Sequence, residues 1–146
     1  MPEISDVALS ERVHRAHEAH RAAGDRCIFV SVHGNAAAVE AANGLEIFTT
    51  VGETESDKVA TVFMNKFSRV LPEVIKRPDN SDGDPDKERN FYVIRKTVMP
   101  AILIELGFMT NERECKDLMM TDTGRDRYAE AIVSAMGHID RYGWEV

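Results

Sequence analysis

An α/β fold, with a mostly parallel sheet covered by helices on both faces, is predicted by three features of this sequence. Two runs, Cys27-Ile-Phe-Val-Ser-Val32 and Ala101-Ile-Leu-Ile104, are almost unbroken in apolar residues, the composition of short strands buried on both faces. Segments with apolar residues at helical spacing alternate with the strands, as connections between parallel strands require. The 146 residues, 43% hydrophobic and 29% charged, suffice for one domain with a real core and are too few for two ordinary ones.

Taken in order, residues 9–23 form the first predicted helix. Leu9, Val13, Ala16 and Ala23 share one face, Ser5 or Asp6 can cap its start, and Gly24 can end it. The strand 27–32 follows and runs into His33-Gly-Asn35. A small-residue loop, 36–44, leads to a second strand, Leu45-Glu-Ile-Phe-Thr-Thr50, of alternating character. Thr54 with Asp57 reads as a capping box opening a helix whose Val59, Val62, Phe63, Phe67 and Val70 make an apolar stripe ending near Pro72. Residues 77–88 are a turn-rich acidic loop, followed by a strand Asn90-Phe-Tyr-Val-Ile-Arg95 and then the run opened by Pro100. Asn111 and Glu114 give a capping signature for a short helix carrying Cys115, Leu118 and Met119. A last helix, 125–142, is expected to bury Tyr128, Ala129, Ile132, Val133, Met136 and Ile139.

Charge and composition exclude several classes. A net charge of -7 argues against a nucleic-acid surface, which needs clustered Lys and Arg. No apolar run approaches the roughly 18 residues of a membrane span. The segment Met1-Pro-Glu-Ile-Ser-Asp6 has no secretory pattern, so localisation stays unknown. Cys27 and Cys115 are read as reduced packing residues, and the seven methionines as core filler.

Sites in such sheets gather at the carboxyl ends of strands, and His33 and Glu105 stand at the ends of the two apolar runs. Burial raises the pKa of a carboxyl group, which suits Glu105 to shuttling a proton near neutral pH. Imidazole is a common zinc ligand, and a catalytic zinc has three protein ligands plus a water. Other candidates are weaker. His14, His17 and His20, with Glu18 one turn from His14, are expected on a solvated helix face. Asp82, Asp84 and Asp86 miss the calcium-loop pattern, because Lys87 occupies the place of its turn glycine; a solvated surface loop is expected there.

Four segments occur here in one order: Ser31-Val-His-Gly-Asn35, Gly44-Leu-Glu-Ile-Phe48, Phe91-Tyr-Val-Ile-Arg-Lys-Thr97 and Pro100-Ala-Ile-Leu-Ile-Glu-Leu-Gly-Phe-Met-Thr-Asn111. Together they resemble the zinc-dependent N-acetylmuramoyl-L-alanine amidases, over about residues 9–142. Gly52-Glu-Thr-Glu-Ser-Asp57 and residues 81–88 resemble a gut-bacterial and phage branch, autolysin or endolysin in kind. The resemblance implies an amidase, phosphorylase-hydrolase-like fold, one zinc ion, and hydrolysis of the amide joining muramic acid to the L-alanine of the peptide stem. It gives His33 the role of a zinc ligand and Glu105 that of the catalytic base and acid. Asn35 and Arg95 receive supporting, substrate-side roles. Peptidoglycan or a muropeptide is the implied partner, with no nucleic acid and no membrane span.

The chain departs from the family in one respect. A Gly-His-Gly strand end and a following helix bearing a glutamate, which supply two further zinc ligands, do not occur in it. Residues 1–146 are therefore expected to be one amidase-like domain lacking its first strand-helix segment, open to self-association or to complementation by that segment. The alternative expectation is a non-catalytic wall-binding or interaction module without its metal.

Overall fold

The computed structural model describes residues 6–145 and runs α1 (Leu9–Ala22), β1 (Phe29–Asn35), β2 (Glu46–Thr49), α2 (Glu55–Val70), β3 (Lys87–Glu88), α3 (Tyr92–Lys96), β4 (Ala101–Phe108), a π-helical turn (Glu114–Met119) and α4 (Asp122–Tyr142). The strands lie in the order β1-β4-β2-β3. β1 is parallel to β4 and β2 to β3, while β2 and β4 are antiparallel, so the sheet is mixed, two parallel pairs joined back to front.

The period-two alternation of β4 divides the molecule into layers. Ile102 and Ile104 pack with Leu45, Ile47, the α2 residues Val59, Phe63 and Phe67, and Tyr128, Ala131 and Ala135 of α4. Ala101 and Leu103 face the other way, toward Val13 of α1, Phe48, and Val93 and Ile94 of α3. β4 is covered on both sides and flanked by β1 and β2, which is why its sequence carries no alternation. Phe63 and Phe67 are fully buried, each contributing roughly 1.5–3 kcal/mol relative to exposure. The capping box of α2 is present: Thr54 Oγ1 accepts from Ser56 N at 3.2 Å, and Asp57 Oδ2 accepts from Thr54 N at 2.5 Å.

Several expectations are corrected. Residues 90–95 do not form a strand; Tyr92–Lys96 is a single helical turn and a half that lays Val93 and Ile94 on the sheet. β1 is not buried on both faces: it is an edge strand, paired with β4 alone among the described residues, and Val32 is 46% exposed. β2 is buried throughout rather than alternating. On α4 the fully buried positions are Tyr128, Ala131 and Ala135, with Ile132 and Ile139 half-buried against the core as expected, whereas Ala129, Val133 and Met136 are exposed. Met109 and Met120 are likewise exposed, although Met64 and Met99 fill the core. α1 starts at Ala8 without a side-chain cap, Asp6 pairing instead with Arg12; Ser5 lies outside the described residues. His14 and Glu18 are exposed as expected, but a ring nitrogen of His17 and one of His20 are buried without a hydrogen-bond partner. The acidic loop is not wholly solvated either: Asp82 is exposed, Asp84 half-buried and Asp86 buried. Cys27 and Cys115 are free thiols.

Candidate active site

The strand register sets the site. His33 on β1 is the lateral partner of Glu105 on β4, and Glu105 is in turn the partner of Glu46 on β2. Partners in register point to the same face of a sheet, at roughly 5 Å per strand. An imidazole and two carboxyl groups therefore stand in one row across three strands, on the face that α1 and α3 cover lower down. The two sequence candidates, His33 and Glu105, are brought together.

Glu105 is half-buried, and its Oε2 is buried without a hydrogen-bond partner. Its pKa is raised, first by desolvation and second by the negative charge of Glu46. Glu46 itself, 6% exposed, is compensated: its Oε1 accepts from Arg77 Nε at 2.5 Å and from Lys87 Nζ at 3.0 Å. Arg77 is held in turn over the Phe108 ring, 5.4 Å from its centroid. One carboxylate of the row is thus locked by cations and the other is left free to hold or release a proton.

His33 is exposed at the sheet edge, its Nε2 2.7 Å from Ser31 Oγ two residues back on the same face. The register of β1 slips between His33 and Asn35, so Asn35 opposes Phe108. Asn35 uses its side chain locally, Oδ1 accepting from Ala36 N at 2.8 Å, while its carbonyl accepts from Met109 N at 2.7 Å. It shapes the loop rather than reaching outward. Arg95 is exposed on α3. A groove of about 540 Å³ beside the edge of β1 is lined by Val32, His33, Met109, Met119 and Met120 among others, and is mostly apolar. A separate cavity of about 390 Å³, between Val74, Glu114 and Leu118, touches neither His33 nor Glu105.

The loops after β1 and β4 are stitched to one another. Ala37 N donates to Thr110 Oγ1 at 3.1 Å, and Asn111 Nδ2 to the Glu40 carbonyl at 3.0 Å. Beneath them Glu114, 6% exposed, accepts from Gly44 N at 2.8 Å and from Phe108 N at 2.7 Å. Gly107, at φ 155°, leaves the space this carboxylate occupies: a Cβ there would stand 2.8 Å from Glu114 Oε2. Glu46 and Glu114 are the residues that sequence reasoning missed. Glu46 had a signal, a charge between the inward Leu45 and Ile47, whereas Glu114 read only as part of a helix cap. That cap exists, since Asn111 Oδ1 accepts from Glu114 N at 3.1 Å, but the carboxylate serves elsewhere.

Among the described residues no three His, Cys, Asp or Glu side chains are arranged to hold a metal ion. The row offers one imidazole and a free carboxyl, so His33 fits as a single ligand, and these residues do not by themselves make a zinc site.

The sequence profile of the N-acetylmuramoyl-L-alanine amidases matches residues 3–138. The chain belongs to this family. A cell wall amidase of Bacillus anthracis is 37% identical over 122 residues, which is 81% of this chain and 22% of that protein. The protein YqiI of Bacillus subtilis is 31% identical over 93% of this chain and 58% of its own length. The N-acetylmuramoyl-L-alanine amidase LytC of Bacillus subtilis is 30% identical over 86% of this chain and 23% of its own. The chain therefore spans between 22% and 58% of the lengths of these relatives. Among solved structures, the N-acetylmuramoyl-L-alanine amidase of Clostridium difficile 630 superposes with a TM-score of 0.80 at 27% identity, over 98% of this amidase chain and 71% of that one. The amidase AmiC2 of Nostoc punctiforme gives 0.75 at 26% identity, over 94% and 68%. The mixed sheet and its helices are thus the family's fold. Among the described residues of this amidase chain no helix is long and apolar enough to cross a membrane.

Proposed function

We propose that this chain carries the base-bearing half of a peptidoglycan amidase site that cleaves the bond between N-acetylmuramic acid and L-alanine at the cell wall. The observation that carries the reading is the register pairing of His33 with Glu105, whose buried oxygen has no partner and whose proton affinity is raised. Glu105 takes a proton from water as the water oxygen bonds to the amide carbon. It then delivers that proton to the alanine nitrogen as the C–N bond breaks, leaving a carboxylate on the muramic acid and a free amine on the stem. A raised pKa suits both halves of that transfer near neutral pH.

Among the described residues His33 is the one zinc ligand, the remaining ligands coming from residues outside those described. Zinc, when bound, supplies a water acidified by several units and a Lewis acid for the carbonyl. Among the described residues the outer edge of β1 is unpaired, which gives a further strand a place to pair, about 4.8 Å from the backbone of His33. Ser31 orients the imidazole, Arg77 and Lys87 fix Glu46, and Glu46 keeps Glu105 a willing proton carrier. Asn35 acts through the loop it closes. Arg95, exposed on α3, is given a supporting role on the substrate side, toward an acidic group of the peptide stem.

The test compares this chain with a version extended upstream, measuring release of new alanine amino termini from purified sacculi with zinc present. The extended version should be active, and Glu105→Gln should abolish activity while His33→Ala removes bound zinc. An inert extended version, or a Glu105→Gln variant of full activity, overturns the reading. The incomplete ligand set favours a second reading, a wall-binding module without chemistry. Sedimentation with sacculi without any new amino termini from either version would select it.

A further inference from the structure

The cavity of about 390 Å³ between the segment after α2 and the π-helical turn lies outside the row of His33, Glu105 and Glu46, and the proposed reaction does not use it. Val74, Ile75 and Leu118 give it an apolar side. Its walls also carry Glu73, Arg113, Glu114 and Asp117, and two of these charges are already matched. Glu73 is paired with Arg127, and the Glu114 carboxylate is taken up by Gly44 N and Phe108 N. Arg113 and Asp117 remain. Both are exposed, and neither side chain has a hydrogen bond or ion pair among the described residues.

They stand four residues apart, the spacing at which their neighbours Glu112 and Lys116 do pair, at 2.6 Å. In the open pair the cation comes first, the weaker order on a helix. The turn that carries them is π-helical, Met120 N donating to the Cys115 carbonyl at 2.9 Å, a geometry that recurs at functional sites. It is fixed in place by α4: a Cβ on Gly124 would stand 2.1 Å from the Leu118 carbonyl oxygen, so the two elements meet backbone to backbone. Two free charges of opposite sign thus border an apolar hollow of a size that holds small ligands.

We propose that this cavity binds a free amino-acid head, an ammonium and a carboxylate on one carbon, carried on an aliphatic stem. Arg113 takes the carboxylate with its planar fork, Asp117 takes the ammonium, and Val74, Ile75 and Leu118 receive the stem. A carboxylate alone would leave Asp117 unmatched and an amine alone would leave Arg113 unmatched, so each half of the head is discriminated against. Such a head can belong to a free amino acid or to the far end of a diamino-acid side chain in a peptide. Neither source requires the hydrolytic reading, because no member of the row lines the cavity.

NMR titration of the isotopically labelled chain with norleucine, which is this head on a plain aliphatic stem, tests the site without zinc or sacculi. Saturable shifts at the amides of residues 73–75 and 111–118 are expected, with a Kd on the order of 1 mM, ordinary for so small a ligand. Hexanoate, which lacks the amine, and pentylamine, which lacks the carboxylate, should bind about tenfold more weakly or worse. Norleucine should lose as much on Arg113→Ala or Asp117→Ala, each of which removes one charge-assisted bond. Asp117→Asn keeps the shape of the turn should Asp117→Ala disturb it. Glu105→Gln should leave the affinity unchanged, which separates the fate of this site from that of the catalytic reading. Displacement of norleucine by a stem peptide whose diamino acid has its second head free assigns the site to wall peptides, and norleucine binding that this peptide does not displace assigns it to free amino acids. No saturable shift at about 50 mM norleucine overturns the proposal. So does hexanoate or pentylamine binding as tightly as norleucine, or binding that Arg113→Ala and Asp117→Asn leave intact.

Discussion

Replacing Glu114 is expected to loosen the site from below without touching it. Its carboxylate is 6% exposed and takes two backbone donors, Gly44 N at 2.8 Å and Phe108 N at 2.7 Å, one from the loop entering β2 and one from the end of β4. Hydrogen bonds to a charged acceptor contribute about 1.5–3 kcal/mol each, and an orphaned buried donor carries its own desolvation cost. Glu114→Ala should therefore destabilise by about 3–5 kcal/mol, or roughly 6–20 °C in melting temperature at about 2–4 °C per kcal/mol for a chain of this size. Glu114→Gln keeps the volume and one acceptor and should lose about half as much. Gly107→Ala would press a methyl group onto the same carboxylate, 2.8 Å from its Oε2, so its effect and that of Glu114→Ala should not add. Thermal and urea unfolding of the two single variants and the double measure this directly. A Glu114→Ala loss below about 1 kcal/mol, or strict additivity with Gly107→Ala, would refute the clamp.

Three further outcomes are expected. Between the ordinary carboxyl value of 3.8 and about 7, folded Asp86 keeps a proton that the unfolded chain has released, so stability should fall as pH rises through that window; Asp86→Asn should flatten the slope in melts across pH, and an unchanged slope would contradict this reading. Removing the charge of Glu46 with Glu46→Gln should lower the pKa of Glu105 and move the acid limb of the pH–rate profile of the upstream-extended amidase to lower pH, whereas an unmoved limb would deny the coupling. Glu105→Gln should abolish sacculus cleavage while leaving the melting temperature at pH 7.5 unchanged or raised, because the charge it removes is desolvated and its Oε2 is unbonded; a loss above about 1 kcal/mol would show a structural carboxylate instead.

Long periodic elements were legible in the sequence and short ones were not. The stripe Val59, Val62, Phe63, Phe67 and its Thr54–Asp57 cap appear in the structure as written, because a capped amphipathic helix is specified locally. The run Ala101–Ile104 announced a central strand for the same reason. Residues 90–95 misled, since Val93 and Ile94 are apolar neighbours, and a run of that length reads equally as a strand or as one helical turn. On α4 the large Val133 and Met136 suggested the buried side, yet close packing on α2 selects Ala131 and Ala135. Asp86 was expected on a solvated loop, and its burial could not be read, because burial of a loop residue depends on what the loop folds against. The pairing of His33 with Glu105 was anticipated from strand ends alone; the third member, Glu46, needed the register of β2, which no local pattern carries.

The contrast between the two carboxylates of the row argues for where the chemistry sits. Glu46 is the more buried, and without its cations it would be the costlier group, yet Arg77 and Lys87 reach it from a loop and from β3. Glu105, its partner in register, receives neither cation, and its buried oxygen has no hydrogen bond. Both compensating side chains go to one acid, and the other is left destabilised in its charged form by the first. A fold gains nothing in stability from this division, and such local conflicts concentrate where a group must change protonation during its work. His33 lies on the opposite flank of Glu105 from Glu46, on the strand whose outer edge is open among the described residues. On the proposed reading, a proton carried by Glu105 would have one side closed by the anion of Glu46 and the other facing the only imidazole of the row, the side from which a reacting water would come.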